Sequence, residues 1–442
     1  MAAEELQLYD IAIEAFQQLG TFKDSDQLQN YYSGRKMQSL AESISVETGS
    51  AEELLNALNS AVAAAKYYET SPLFKDCLAR LAACNELAEK IRAENKDRAE
   101  DRKQKELNQK ETTYQKALTL QSQERYEEAI ETFKSIRSYK DSDDQVFATY
   151  YMLGKKCQID KEWDMAISAF KQAGNYSDAS TQITESYYLQ AKDYYSAQKY
   201  KDAYDVFSSI AGYGDTNDIL KNDPFMIKAA WTTAGSIVTF GSYEQDNNYN
   251  NGQEPIEWIV LDVKNNITTL VSLYGLEYVI YDNQNITLDN YNKITVTWEK
   301  SSLRKWLNND FFGKAFNPSE QKQIINDIVL NDKNQHNNAN GQKNTKDKVY
   351  LLSYKEAFTY FKTDEDRVCL ITEYLKAQFK KLGINCDGRC IWWLRSPSRG
   401  SSSSVMLVNR VGGTLSAFAN QEMYDTVARP VIRVNNSGIG EE

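Results

Sequence analysis

Apolar and polar positions follow a helical period through the first half of the chain, and this pattern itself recurs every 37 residues. Tyr126, Trp163 and Tyr200 mark three successive units. The same interval relates four further sets, which are an alanine (Ala129, Ala166, Ala203), a phenylalanine (Phe133, Phe170, Phe207), a tyrosine (Tyr139, Tyr176, Tyr213) and an aspartate (Asp141, Asp178, Asp215). Five positions that keep one interval over three units indicate internal repeats.

Each unit predicts two helices joined by a short turn. The leading aromatic residue, the alanine and the phenylalanine lie at i, i+3 and i+7, which is one face of an α-helix. The small alanine allows close approach of a neighbouring helix, and the Asp-Ser, Ser-Asp or Asp-Thr pair after the tyrosine is expected to cap the second helix. Because such a hairpin cannot bury its apolar face alone, we expect the units to stack into a solenoid.

The same pattern opens the chain and fades in its middle. Residues 9–27 match the later units, including Phe22 and Asp24, and a more divergent unit keeps its turn near Phe74. Residues 88–118 are charged and almost free of helix breakers. This stretch predicts a long exposed helix, which either is solvated or binds a partner.

These units resemble tetratricopeptide repeats, with a length slightly above the usual one. The resemblance implies an all-α solenoid over residues 1–222, with a concave surface for a peptide or protein partner. The alternative is that the solenoid serves only as a spacer for a second domain.

After residue 222 the helical period gives way to short strand-like runs bounded by Asn and Gly. The first three predicted strands are residues 236–243, 256–263 and 267–274. The last two are expected to form a hairpin. Helices are expected after Ser301 or Ser302 and at Pro318. Residues 331–346 are expected to be a mobile insertion. The pattern predicts an α+β domain over residues 225–437.

Charge and composition exclude several functions. The net charge of −11 and the isoelectric point near 5.0 argue against nucleic-acid and anionic-membrane partners. No apolar run is long enough to span a bilayer, and the first ten residues do not form a secretory signal. We expect a cytoplasmic protein if this N-terminus is native, and a cell-surface or secreted protein if an anchor or signal was removed.

Histidine and cysteine limit the chemistry further. The only histidine, His336, lies in an asparagine-rich stretch, so catalysis by a histidine-based triad is not expected. Cys386 and Cys390 are too few ligands for zinc, so we predict no metal and no cofactor. Their spacing leaves two alternatives, a local disulfide or two free thiols, of which a reducing compartment favours the second.

Motifs in the second half appear in a fixed order, namely "IVTFGSYEQ", "PIEWIVLDV", "SSLRKWLNNDFF", "KVYLLSYKEAF", "WWLRSP", "VNRVGG" and "VARPVIRV". This order resembles a bacterial domain of unknown function that is often joined to helical repeats. Its late motifs are similar to the C-type-lectin-like fold of formylglycine-generating-enzyme-like and phage-tropism proteins. In proteins of that fold, the interval between the last motifs forms the exposed ligand-binding face. In some of them a diversity-generating retroelement mutates this interval.

The catalytic and calcium-binding branches of that fold do not fit this chain. The formylglycine-generating branch requires cysteines after its arginine-containing strand, whereas Cys386 and Cys390 precede Trp392. A calcium-dependent sugar site requires a particular loop, and Glu254-Pro255 is not followed by the required Asn or Asp. We therefore expect no enzyme, with an enzyme or enzyme regulator that uses a cleft as the alternative.

The interval from Ser398 to Tyr424 combines small polar residues with a few large side chains, as antibody paratopes do. We predict a non-enzymatic recognition protein whose target is a protein or a cell-surface glycan, on a face that is diversified or specialised. The predicted contact residues are Arg399, Asn409, Arg410, Phe418, Asn420, Gln421, Met423 and Tyr424. Four residues are predicted to be structural, one tryptophan in the core and one beneath the face, with two buried hydrogen-bonding arginines: Trp392, Trp393, Arg395 and Arg429.

Overall fold

The computed structural model describes residues 2–283, 296–399, 403–419 and 426–440. The chain divides into two compact units, which are Met1–Lys155 with Gln172–Tyr176, and Lys156–Lys171 with Ser177–Glu442. The domain boundary expected between residues 222 and 225 stays a prediction. The helical first half and the change to strands in the second half are confirmed.

Eleven helices account for most of residues 2–231. They are α1 Ala2–Leu19, α2 Ser25–Glu42, α3 Ala51–Glu69, α4 Cys77–Ser122, α5 Tyr126–Lys134, α6 Ser142–Ile159, α7 Trp163–Ala173, α8 Ala179–Ser196, α9 Tyr200–Ser209, α10 Thr216–Asn222 and α11 Pro224–Trp231. The long helix expected around residues 88–118 is part of α4. No helix in the described part of the chain is both long and apolar enough to cross a bilayer.

One tight turn recurs within the helix pairs, where it joins the first helix of each pair to the second. Its residue with positive φ is Lys23 (55°), Lys75 (49°), Lys140 (50°), Ser177 (51°) or Gly214 (55°). The next residue is an aspartate that was expected to cap the second helix. That expectation is wrong for Asp24, Asp76, Asp178 and Asp215, whose side chains make no capping hydrogen bond.

The turn aspartate serves a different neighbour. Asp215 accepts a hydrogen bond from the hydroxyl of Tyr188 in the preceding hairpin, at 2.6 Å. The same contact joins Tyr114 to Asp141 at 2.5 Å. The aspartate therefore stabilises the packing of one hairpin on the next.

Two larger sheets build the second half. Its strands are β1 Ile237–Tyr243, β2 Glu254–Lys264, β3 Ile267–Ser272, β4 Tyr274–Gly275, β5 Glu277–Tyr278, β6 Asp327–Val329, β7 Thr345–Asp347, β8 Val349–Tyr350, β9 Cys369–Ile371, β10 Arg389–Pro397, β11 Ser404–Val408, β12 Thr414–Phe418, β13 Thr426–Ala428 and β14 Val431–Asn435. The predicted hairpin is confirmed as β2–β3, and its turn residues Asn265 and Asn266 have φ of 49° and 60°. Asparagine tolerates this left-handed geometry better than most residues.

The first sheet has the order β1-β2-β3-β14-β8 and is antiparallel. The second has the order β12-β11-β10-β13-β5, in which β10 and β13 run parallel. Strand β9 pairs with both β10 and β4, and β6 pairs with β7. Strand β12 thus lies at an edge of the second sheet.

Short helices pack on these sheets. They are α12 Ser302–Trp306, α13 Phe312–Ala315, α14 Pro318–Gln323, α15 Tyr354–Tyr360, α16 Asp364–Arg367 and α17 Glu373–Lys381, with a π-helical stretch at Leu307–Phe311 that joins α12 to α13. Ser301 caps α12 and Pro318 opens α14, as the sequence predicts. The core between the elements contains the fully buried tryptophans Trp258, Trp298, Trp392 and Trp393.

Candidate functional site

Strand β10 leads directly to the predicted recognition face, and its two tryptophans fix its position. Trp392 and Trp393 are both fully buried. The Trp392 Nε1 donates to the carbonyl oxygen of Arg367 at 3.0 Å, and the Trp393 Nε1 donates to that of Val279 at 2.8 Å. Since neighbouring strand residues point to opposite faces, the sheet is anchored on both sides.

Arg395 follows on the same strand and is 3% exposed. Its guanidinium pairs with both carboxylate oxygens of Glu356, with Nη2 at 3.0 Å from Oε1. It also donates to the carbonyl oxygens of Leu351 at 2.6 Å and Leu330 at 2.8 Å. Burial raises the pKa of Glu356, but the charge and hydrogen bonds of Arg395 outweigh burial and hold that pKa below its usual range. Arg395 therefore ties β10 to α15 and to the loop after β6.

Arg429 is equally buried but uses aromatic rings. Its Nε donates to the carbonyl oxygen of Ser272 at 3.0 Å. Its guanidinium carbon lies 5.0 Å from the ring centroids of both Trp392 and Phe361. Cation–π contacts thus provide part of the stabilisation of the Arg429 guanidinium, whereas Arg395 is stabilised mainly by hydrogen bonds.

The asparagine-rich insertion packs against the end of β10, although the sequence suggested a mobile segment. Asn331 and Asn334 are buried. The Asn334 Nδ2 donates to the Pro397 carbonyl oxygen at 2.9 Å, and the His336 ring stacks on Tyr354 at 4.7 Å between centroids. The asparagine side chains replace the backbone pairing that an irregular loop lacks, which holds the loop in place.

Between this loop and the end of β10 lies an open cavity of about 570 Å³. It is lined by Val296, Thr297, Glu299, Lys300, Asn338, Ala339, Asn340, Gly341, Gln342, Lys343, Pro397, Ser398, Arg399 and Ser404. Most of these side chains carry amide, hydroxyl or charged groups. Lys343 pairs with Glu299 at 2.6 Å, so Lys300 and Arg399 leave the lining with a net positive charge.

The structure brings some predicted contact residues together and separates others. Arg399 lines the cavity, and Phe418 pairs in register with Ser404, another lining residue. Asn409 and Arg410 lie at the opposite end of the β11–β12 hairpin. The Asn409 Oδ1 accepts the backbone N–H groups of Val411 and Gly413, both at 3.0 Å, so this side chain shapes the turn.

Arg410 donates through Nη2 to the carbonyl oxygen of Asn385 at 2.9 Å, which ties the hairpin turn to the chain before β10. The remaining predicted contact residues lie outside the described part of the chain: Asn420, Gln421, Met423 and Tyr424. Their positions stay predictions.

Sequence reasoning singled out Phe418 but missed two other apolar side chains of the hairpin, Leu415 and Val411. Leu415 and Phe418 on β12 are each 49% exposed, and Val411 in the turn is 62% exposed. These residues are large apolar side chains within a polar interval, which is the signal that could have singled them out. Leu415 and Phe418 are three residues apart, so they place apolar surface on opposite faces of the sheet at β12, which pairs with no other described strand than β11.

Three carboxylates elsewhere lie close enough together to hold a cation. Their oxygens, on Glu244, Asp246 and Glu254, are all within 4.8 Å of one another. Each already accepts N–H groups of the β1–β2 loop, as when the Glu254 Oε2 accepts from the backbone of Gln245 at 2.7 Å. Loop capping accounts for this cluster.

Glu277 on β5 is another carboxyl that the sequence did not single out. It accepts hydrogen bonds from the hydroxyls of Tyr243 at 2.8 Å and Tyr374 at 3.4 Å. Burial raises the pKa of Glu277, and these two hydrogen bonds only partly oppose that rise. Neither hydroxyl nor carboxyl belongs to the cavity beside Arg399.

In the second half, the cysteine that lies beside Cys390 in the structure is not the one nearest to it in sequence. None of the six cysteines, all of which lie in the described part of the chain, forms a disulfide. Cys390 lies directly opposite Cys369 in the β9–β10 pair, and its Sγ lies 3.4 Å from the Cys369 carbonyl oxygen. The cross-strand neighbour of Cys390 is therefore Cys369, not Cys386.

Comparison with known families recognises a segment within the second half of the chain. Residues 266–435 match the model of a family described as a domain of unknown function, DUF6273. This match confirms the expected domain of unknown function over those residues. No curated protein and no solved structure matches the chain.

Proposed function

We propose that this protein is a recognition module that binds an acidic protein segment along the edge of β12 and in the adjoining cavity. The observation that carries the proposal is the exposure of Leu415 and Phe418, 49% each, on an edge strand beside a polar cavity. Natural sheets usually protect such edges with charge or cover them with other elements. An exposed apolar edge is a common site of peptide addition.

The chemistry of this face suits a protein ligand. Fully burying an exposed Leu or Phe side chain contributes roughly 1.5–3 kcal/mol, so covering the exposed half of Leu415 and of Phe418 contributes about half of that for each. Among the described strands β12 pairs only with β11, so its other edge can offer backbone hydrogen bonds to an extended segment. Arg399 and Lys300 have no described carboxylate partner, so their charge favours Asp or Glu on the ligand. The two cations stand out because the whole chain has a net charge of −11.

The same geometry supports binding without catalysis. Among the described lining residues, Glu299 is the one carboxylate, and it is paired with Lys343. The described lining contains neither histidine nor cysteine. General acid–base or nucleophilic catalysis requires such groups within reach of the substrate.

Selection from a displayed random peptide library with the full chain tests the proposal. Enriched peptides should combine acidic and apolar residues, and Phe418→Ser or Arg399→Glu should weaken their binding by at least about tenfold. Ile328→Ser is the matched control, since Ile328 is also exposed on a strand but lies on β6. Equal loss in the control, or no loss in either variant, would reject the face.

A glycan is the second candidate ligand, because amide and hydroxyl groups dominate the cavity lining. Asn338, Asn340 and Gln342 offer both donors and acceptors for sugar hydroxyls. Binding on a glycan array that Asn340→Ala and Gln342→Ala abolish, while Phe418→Ser leaves it intact, would favour the glycan over the protein ligand.

We further infer the finer fold assignments from the sequence resemblance. The recurring helix pairs support tetratricopeptide-like repeats, and the strand that carries "WWLRSP" next to an exposed hairpin supports a C-type-lectin-like domain. A diversified face predicts that clonal relatives differ mainly within residues 398–424. Substitutions spread evenly over residues 230–436 would contradict diversification.

A further inference from the structure

Cys369 on β9 and Cys390 on β10 lie directly opposite each other in the sheet. Both side chains are fully buried, and no disulfide joins them. Residues directly opposite in an antiparallel pair have Cα atoms roughly 4.5–5.5 Å apart, which lies within the range of about 4.4–6.8 Å that disulfides span. A disulfide between these two cysteines therefore requires little movement of either strand.

The backbone around the pair brings polar groups to the two sulfur atoms. The Cys390 Sγ lies 3.4 Å from the Cys369 carbonyl oxygen and within hydrogen-bond reach of the Cys369 sulfur. A Cβ atom at Gly275 of β4 would come within 3.1 Å of the Cys390 Sγ and 2.4 Å of the Val427 Cγ2. Glycine thus allows the β4 backbone to approach, and the Gly275 N–H bonds to the Cys369 sulfur.

A buried cation acts on the same thiol. Arg429 is 2% exposed. Its contacts among the described residues are one carbonyl oxygen and two aromatic rings, and its Nη1 has no hydrogen-bond acceptor there. A buried charge is costly unless an opposite charge compensates it. An ionised Cys369 provides that charge, since the Arg429 guanidinium favours the thiolate.

The surroundings of Cys369 therefore differ from those of an ordinary buried cysteine. Burial raises the pKa of the Cys369 thiol, but the hydrogen bond with Cys390 and the charge of Arg429 outweigh burial and hold that pKa below its usual range. Cys84 on α4 is also buried, and there burial raises the pKa to about 11. Because the thiolate is the nucleophilic form of cysteine, we expect Cys369 to react where Cys84 does not.

Strand β9 lies close to solvent. Leu370, between the buried Cys369 and Ile371, is 50% exposed. Beyond β9 the pairing continues only through the two residues of β4, Tyr274 and Gly275. Short pairings of this kind open locally, which admits a molecule as small as hydrogen peroxide.

We propose that Cys369 and Cys390 are a redox-active dithiol that hydrogen peroxide oxidises to a disulfide joining β9 to β10. The Cys369 thiolate attacks one peroxide oxygen, so that an S–O bond forms, the O–O bond breaks and the departing hydroxide takes up a proton to become water. The Cys390 sulfur then attacks the Cys369 sulfur. The S–S bond forms, the S–O bond breaks, and hydroxide leaves with the Cys390 thiol proton as a second water. Two electrons pass from the dithiol to the peroxide, and the inference is independent of the β12 face.

Treatment of the folded full chain with hydrogen peroxide is the direct test. The remaining thiols are alkylated in denaturant, and the chain is digested for mass spectrometry. We expect a linked pair of peptides that contain Cys369 and Cys390, which dithiothreitol separates. This link should form at least about tenfold faster than Cys84 is oxidised.

Two variants assign the roles of the cysteines. In Cys390→Ala the reaction should stop at the sulfenic acid of Cys369, which a dimedone probe labels. Cys369→Ala should abolish the reaction of Cys390 with peroxide. Cys386→Ala is the matched control, because Cys386 lies four residues before Cys390 in sequence and its replacement should leave the yield of the disulfide unchanged.

A disulfide between Cys386 and Cys390, or no reaction of Cys369 in the folded chain, would overturn the proposal. Equal rates of oxidation at Cys369 and Cys84 would also overturn it, because they would show that Arg429 and Cys390 do not activate the thiol. The peptide map of the unchanged protein gives these results without any variant, so the test stands even where a variant fails to fold.

Discussion

At the scale of single residues, Arg395 and Arg429 connect elements of the second half beside the proposed recognition face. Arg395 makes a bidentate ion pair and two bonds to backbone carbonyls in a buried environment, and Arg429 combines one carbonyl with two aromatic rings. Both guanidinium groups are buried between structural elements, so the described residues leave neither of them exposed to a ligand. A buried guanidinium that is paired as Arg395 is fixes geometry, because its planar donors accept few alternative arrangements.

Arg395→Met should destabilise the protein by about 3 kcal/mol, because Glu356 would lose its partner while remaining largely covered. The loss should be measured by urea unfolding near neutral pH. Arg389→Met is the control, because Arg389 forms only an exposed pair with Asp387 at 3.5 Å and should change stability by less than about 0.5 kcal/mol. Equal effects would contradict the supporting role.

Glu277 gives a pH dependence of the opposite kind to that of Glu356. Its pKa is raised in the folded state, so folding favours the protonated carboxyl. The resulting stability is present below the unfolded pKa of about 4.3 and is lost as the pH rises through the folded pKa. Glu277→Gln should remove this loss, so its unfolding free energy should depend less on pH above about 4.3.

Urea unfolding of both proteins over a series of pH values measures this difference. Glu373→Gln is the control, since Glu373 is exposed on α17 and its replacement should leave the pH dependence unchanged. A Glu277→Gln variant with the same pH profile as the unchanged protein would show that burial of this carboxyl has no energetic consequence.

At the scale of elements, periodicity predicted the helices well because the repeated apolar face is a local property of the sequence. The β2–β3 hairpin and the caps of α12 and α14 were also local signals and were predicted. The role of the turn aspartates was not predicted, because their partner is a tyrosine about 27 residues earlier, as for Tyr114 and Asp141. The ordered loop after β6 was missed for the same reason, since its asparagines bond to distant backbone.

Asn334→Ala should loosen that loop. The substitution leaves the His336 N–H without its acceptor and leaves the Pro397 carbonyl oxygen only the long 3.5 Å contact with Asn337, which costs roughly 1–3 kcal/mol. Hydrogen exchange should become faster across residues 331–344 while the rest of the domain keeps its rates. Gln335→Ala, at an exposed position of the same loop, should change nothing.

At the scale of the whole molecule, the sequence separated the helical half from the β-rich half. It did not predict which helices pack against each other where the two halves meet along the chain. Tyr200 stacks on Phe225 at 4.3 Å, and Met226 is fully buried in a cluster with Ala203 and Phe207. These contacts join α9 to α11. Apolar periodicity identifies the face that each helix buries but does not identify the element that covers it.

A chain truncated to residues 225–442 should therefore be less stable than one that spans residues 177–442. Exposure of Met226 alone costs roughly 1.5–3 kcal/mol. Thermal unfolding of the two truncated chains measures the difference. Equal midpoints would show that α9 adds nothing to the stability of the second half.

The candidate site was predicted in part. The sequence identified the interval after Pro397, and the structure places Arg399 and Phe418 near one cavity. The remaining lining comes from residues 296–300 and 338–343, which lie far away in sequence. Neither the edge position of β12 nor the exposure of Leu415 follows from local pattern, because both depend on the order of strands in the sheet.

Hydrogen exchange of the full chain, with and without a peptide enriched in the library selection, tests the recognition face most directly. The proposed function predicts slower exchange in β12 and in residues 338–343, because the ligand pairs with the strand edge and occupies the cavity. The protection should disappear in Phe418→Ser. Protection confined to the helical half, or to the β1–β2 loop, would contradict the proposed function.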